Sequence, residues 1–134
     1  MTGRPFIDTN VLVYAFDHTA PDKRARAAGL LRRDFVISAQ VLSELYVTLT
    51  RKLTPPVAPA DTAAIVAELA HQDVVPVTAT LVQSAIATAR TAQLSYWDAL
   101  IVEAAVAAGC TTLLSEDLNP GQVITGVRIE NPFR

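Results

Sequence analysis

The sequence predicts an α/β protein of three layers, with helices on both faces of a central, mainly parallel sheet of four or five strands. Three observations predict it. Short runs such as Phe35 to Ser38 and Thr111 to Leu114 carry little of the polar alternation of a half-exposed strand, as expected for strands buried on both faces. Longer helical stretches separate these runs, the order that builds parallel strands through crossovers. The 134 residues contain no internal repeat and no long linker, so one domain spanning 1–134 is expected.

Taken in order, the first strand is Pro5 to Asp8, followed by a short helix from Asn10 to Phe16. A second helix runs from Pro21 to Arg33, with proline at its start, where a missing N–H costs nothing. The strand Phe35 to Ser38 leads into a helix from Ala39 to Leu53, for which Ser38 is the expected N-cap. Prolines 55, 56 and 59 then forbid a continuous helix and make a stiff connection. Beyond it come a helix from Asp61 to His71 capped by Asp61, a strand Val74 to Val77, and a helix Ala79 to Ala92 capped by Thr78. A helix Tyr96 to Ala108 is capped by Ser95 and stopped by Gly109, the strand Thr111 to Leu114 follows, and a weaker strand lies within Val123 to Ile129.

Composition narrows the function. A hydrophobic share of 51% with 18% charged residues excludes a disordered chain, and no uncharged apolar run is long enough to span a bilayer. Polar residues interrupt any signal-peptide core near the N-terminus, so a cytoplasmic location is expected. The single cysteine, Cys110, excludes an internal disulfide and a cysteine metal cage, and reads as a buried small residue. A net charge of -2 argues against a protein that coats nucleic acid by a general basic surface, but not against an enzyme that acts on it.

In a parallel sheet, ligands bind beyond the carboxyl ends of the strands. Asp8 ends the first strand there; it is either an N-cap for the next helix or a carboxylate offered to a ligand. Asp117 follows the strand Thr111 to Leu114 in a segment that also reads as a polar turn, with Glu116 as an adjacent candidate. Asp98 shares a helix face with the apolar Ile101, Val102 and Ala105, and either closes a capping box with Ser95 or presents its carboxylate to a cation. Glu44 flanks the apolar stripe Val41, Leu42, Leu45, Tyr46 and Leu49, where a solvated residue is the ordinary reading. Carboxylates gathered without an interleaved lysine repel one another unless a cation sits among them, and oxygen-only ligands suit Mg²⁺ or Mn²⁺. His18 and His71 have no zinc-like spacing and read as solvated. Lys23, Arg24, Arg26, Arg32 and Arg33, with Arg51 and Lys52, are either a solvated face or a phosphate-binding one, and Trp97 reads as core or interface packing more than as a base-stacking residue.

At these residues the chain resembles the PIN-domain ribonucleases, and among them the VapC-type toxins of bacterial toxin-antitoxin pairs. Four segments carry the likeness in order: Phe6-Ile-Asp-Thr-Asn-Val-Leu-Val-Tyr-Ala15, Ser38-Ala-Gln-Val-Leu-Ser-Glu44, Ser95-Tyr-Trp-Asp-Ala-Leu-Ile101 and Leu114-Ser-Glu-Asp-Leu118. The resemblance implies an endoribonuclease in which Asp8 and Asp98 are principal metal ligands, and Glu44 and Asp117 complete the acidic pocket. Thr9, Asn10, Ser115 and Glu116 would support them. It further implies Mg²⁺ or Mn²⁺ as cofactor, in-line hydrolysis without a covalent protein intermediate, and products with a 5′-phosphate and a 3′-hydroxyl. The implied partners are an RNA substrate, a VapB-like antitoxin whose arginine suits an acidic pocket, and a second copy in a homodimer, with no membrane.

Two other readings compete. A PIN-like module that has lost cleavage and only binds RNA or protein would not need all four acidic positions. A receiver-like signalling domain would need an acidic residue at the end of the strand Val74 to Val77 and a later lysine, and no lysine follows Lys52.

Overall fold

The computed structural model describes residues 3–134. Six strands form one sheet: β1 (Phe6–Ile7), β2 (Val36–Ser38), β3 (Asp73–Val75), β4 (Thr112–Leu114), β5 (Val123–Ile124) and β6 (Val127–Glu130). The helices are α1 (Thr9–Tyr14), α2 (Pro21–Leu31), α3 (Ala39–Val47), α4 (Pro59–Leu69), α5 (Ala79–Ala92) and α6 (Tyr96–Ala107). The order across the sheet is β3-β2-β1-β4-β6-β5, parallel except where β5 meets β6. Phe6 is paired with Val36 on one side and Leu113 on the other, so β1 lies between the two directions in which the chain builds the sheet. Right-handed crossovers put α1 to α4 on one face and α5 and α6 on the opposite face.

The fold class is the one expected, with one strand more. The segment Val123 to Ile129 is a hairpin rather than a single weak strand, because Thr125 and Gly126 both adopt positive φ, at 51° and 81°, and turn the chain in two residues. Threonine rarely takes that conformation, which hides the turn. Pro76 has no N–H to continue the ladder, so β3 ends at Val75, and Val77 is exposed.

Ser38, Thr78 and Ser95 are the N-caps expected, accepting from the amides of Val41, Leu81 and Asp98. Asp61 is not: α4 starts two residues earlier on Pro59 with Ala58 as N-cap, and Asp61 sits in the first turn. The long helix expected from Ala39 to Leu53 also changes form. After Val47 it loosens into a π-helical turn, Thr48–Lys52, where the Leu53 amide reaches back to the Thr48 carbonyl and the Thr50 hydroxyl bonds the Tyr46 carbonyl. Gly109, at φ 74°, ends α6 as expected.

The core is one cluster built around the fully buried Phe6, Ile7, Ile37, Leu113 and Ile129 of the sheet, with Phe35 just before β2. From α3 it takes Val41 and Leu45, and from the π-helical turn Leu49, whereas Tyr46, expected in the same stripe, is exposed. Cys110 is buried, and burial pushes its thiol pKa up. Trp97 lies outside the core with 61% of its surface exposed, its ring edge-to-face with Tyr96. Among the described residues no helix is long and apolar enough to cross a membrane.

Candidate metal centre

Because the chain builds the sheet from β1 towards β2 and β3 on one side and only later adds β4 on the other, a crevice opens beyond the carboxyl end of β1. The helices that follow or precede these strands begin at that edge, and their first turns supply polar side chains to one cleft of about 640 Å³. Asp8, Glu44, Asp98 and Asp117 all line it, together with Thr9, Asn10, Gln40, Lys52 and Glu116.

Asp8 is the most constrained. Its Oδ1 accepts the Thr9 amide at 2.7 Å, which makes it the N-cap of α1, and its Oδ2 accepts the Ser115 hydroxyl at 2.9 Å and the Asn10 amide nitrogen at 3.2 Å. The cap and the inward-facing carboxylate are therefore one arrangement rather than alternatives. Burial pushes its pKa up to about 6 against the relief from Ser115 and Thr9, and the negative charges of Glu44 and Asp98 add to the rise.

Glu44 is half-buried rather than solvated. Its Oε1 accepts the Thr9 hydroxyl at 2.9 Å and its Oε2 accepts the Gln40 amide at 3.3 Å. Asp98 uses only its backbone N–H locally, in the bond to Ser95. The reciprocal half of the expected capping box is missing, and its carboxylate takes no hydrogen bond from the described residues. Asp117 is exposed and bonds Ser115 through its backbone N–H at 3.3 Å. None of these four carboxylates forms an ion pair among the described residues.

Glu116 is placed differently. Lys23 pairs with its Oε2 at 2.5 Å and the Tyr14 hydroxyl donates to its Oε1 at 2.7 Å, while the Lys23 ammonium lies 4.7 Å from the Tyr14 ring centroid. These partners hold its pKa below the ordinary value despite the opposing effect of partial burial. Its backbone N–H donates to Asn10 Oδ1 at 2.9 Å, orienting the Asn10 amide toward Asp8 and Ser115. The side chain is thus occupied and the main chain supports Asp8. Glu116→Gln is expected to change Mn²⁺ affinity by less than about threefold, whereas Asp117→Asn weakens it by about tenfold or more, as a binding titration would show.

Among the described residues no three of His, Cys, Asp or Glu stand close enough to form a ready-made metal cage. The donor set still fits a hard divalent cation: it is oxygen-only, it carries uncompensated negative charge, and the self-repulsion felt at Asp8 is the strain a cation relieves. His18 and His71 are exposed, and neither lines the cleft. Of the basic stretch, Lys23 is committed to Glu116, Lys52 lines the cleft, and Arg26, Arg32 and Arg33 are exposed. Sequence reasoning missed Gln40 and Tyr14 as parts of the site, and read Lys23 as a solvated or phosphate-binding residue where it is the partner of Glu116. Gln40 had one available signal, its position four residues before Glu44 on the same helix face.

The sequence profile of the PIN domain matches residues 6–123. No curated protein matches the sequence. Among solved structures, a chain of the DNA-bound VapBC of Salmonella typhimurium is similar with a TM-score of 0.67 at 21% identity, over 98% of this chain and 99% of that one. VapBC2 of Rickettsia felis, bound to a DNA fragment from its promoter, gives 0.66 at 18% identity, over 96% and 98%. VapC20 of Mycobacterium tuberculosis, described as a toxin that cleaves the sarcin-ricin loop, gives 0.64 at 20% identity, over 92% and 98%. At these identities the likeness shows a shared fold.

Proposed function

This chain belongs to the PIN domain family, and from that premise we propose that it is a Mg²⁺- or Mn²⁺-dependent endoribonuclease, the toxin of a VapBC-type toxin-antitoxin pair, acting as a single unit over residues 1–134. The observation that carries the proposal is the convergence of Asp8, Glu44, Asp98 and Asp117 on one cleft at the carboxyl edge of the sheet. All four being present favours cleavage over a module that only binds, and family membership displaces the receiver-like alternative.

A divalent cation held there supplies a Lewis acid that lowers the pKa of water and offsets charge on a scissile phosphate. The chain prepares for it in stages. Thr9, Asn10 and Ser115 fix both oxygens of Asp8, and Thr9 and Gln40 hold both oxygens of Glu44. Among the described residues the Asp98 and Asp117 carboxylates take no hydrogen bond, so they are the groups able to adjust. Lys52 on the cleft wall offers a positive charge to an RNA backbone that the carboxylates would otherwise repel.

One structural neighbour is described as a toxin that cleaves the sarcin-ricin loop and two as VapBC complexes, which supports a nucleic-acid substrate, proposed here as RNA, and a VapB-like antitoxin. An antitoxin arginine matches the acidic cleft by charge and by its bidentate fork. The exposed Tyr46, Val47, Val77, Ile86 and Trp97 provide apolar surface for a homodimer, in which Trp97 is an interface residue. Chemical analysis of the RNA ends tests the reaction type. Products are expected to carry 5′-phosphate and 3′-hydroxyl, and 2′,3′-cyclic phosphate ends would instead mean attack by the ribose hydroxyl and would sink the metal-hydrolysis reading.

A further inference from the structure

We propose that Gln40 is a positioning residue that holds Glu44 and the Asp98-bearing end of α6 at a set separation, and so governs how tightly the cleft takes a divalent cation. The inference rests on the metal-dependent reading of the site. Gln40 is only 7% exposed, and its amide nitrogen has two hydrogens to give. It donates to Glu44 Oε2 at 3.3 Å and to the Trp97 carbonyl at 3.1 Å. The second acceptor belongs to the peptide that joins Trp97 to Asp98, so one side chain of α3 grips both a carboxylate of its own helix and the backbone from which Asp98 hangs.

The orientation of the amide is forced. Turned over, its carbonyl oxygen would face a carboxylate and another carbonyl, both acceptors. In the orientation adopted, Oε1 is buried with no hydrogen-bond partner among the described residues. A buried acceptor left unpaired opposes folding, so a residue serving only to pack α3 against α6 would be better replaced by methionine or leucine. What glutamine alone provides is the pair of N–H groups, and both are spent on the elements that carry Glu44 and Asp98. Two like charges on separate helices tend to drift apart when no cation joins them, and the brace opposes that drift.

The test is titration of the purified full chain with Mn²⁺, following free Mn²⁺ by its EPR signal, for the wild type, Gln40→Met and Gln40→Leu, with thermal melts in chelator alongside. The expected result is Mn²⁺ affinity weakened by about tenfold or more in both variants, with melting at or above the wild-type temperature. Wild-type affinity in either well-folded variant overturns the inference. So does a fall in melting temperature of more than about 5 °C in both, which would mark Gln40 as a residue of the fold. Failure of the wild type itself to bind Mn²⁺ would overturn the metal-dependent reading and this inference with it, whereas equal binding by wild type and variants overturns this inference alone.

Discussion

Asp8→Asn is expected to lower RNA cleavage by about a thousandfold or more while leaving the protein folded and, in chelator at pH 7 to 8, more stable than the wild type. The loss follows from removing a charged oxygen ligand, worth several kcal/mol of charge stabilisation in the transition state. The gain in stability follows from burial. Asp8 is an acid whose pKa is pushed from 3.8 up to about 6 in the fold, so folding favours its protonated form. Well below about pH 4 the group is neutral in both states and opposes nothing. As the pH rises from about 4 to 6 it ionises in the unfolded chain while the fold still holds the proton, so stability falls, and the loss is complete once it also ionises inside the protein above about 6. Above that window the cost is on the order of 3 kcal/mol. Asparagine keeps the N-cap acceptor for Thr9 but turns an N–H toward the Asn10 amide, so a net gain of about 1 kcal/mol or more is expected rather than the full amount. Thermal melts from pH 4 to 8 should show the wild-type slope between about 4 and 6 reduced in the variant.

Asp98→Asn is expected to cost a similar factor in cleavage for a different physical reason, and with almost no effect on stability. Its carboxylate is half-exposed and has no described hydrogen-bond partner, while its backbone N–H keeps the Ser95 cap whichever side chain is present. The substitution therefore removes charge at the cleft without disturbing α6. Melting within about 2 °C of wild type together with cleavage lost by about a thousandfold is the expected pair of results. Activity within tenfold of wild type would show that Asp98 is not a principal ligand.

The contrast between these residues also explains what could be read in the sequence. Asp8 and Asp117 follow buried strands, and a parallel sheet delivers the residues after its strands to one edge, so their meeting was legible from the pattern alone. Asp98 was legible as a carboxylate on a buried stripe. Glu44 was not, because its burial depends on the Thr9 hydroxyl 35 positions away, a contact no helical period encodes. Lys23 looked like one member of a basic run, yet its partner Glu116 lies on the far side of the sequence and separates that carboxylate from its neighbour Asp117. The extra strand escaped because a threonine occupies a left-handed turn position that usually announces itself with glycine or asparagine.

The central claim is that this acidic cleft cuts RNA with the help of a divalent cation. Its most direct test is cleavage of a defined RNA by metal-stripped protein, with Mg²⁺ or Mn²⁺ added back, for wild type beside Asp98→Asn. The expected result is no cleavage in chelator, cleavage restored by either cation in the wild type, and none restored in the variant. Equal cleavage with and without metal, or a variant as active as the wild type, would contradict it.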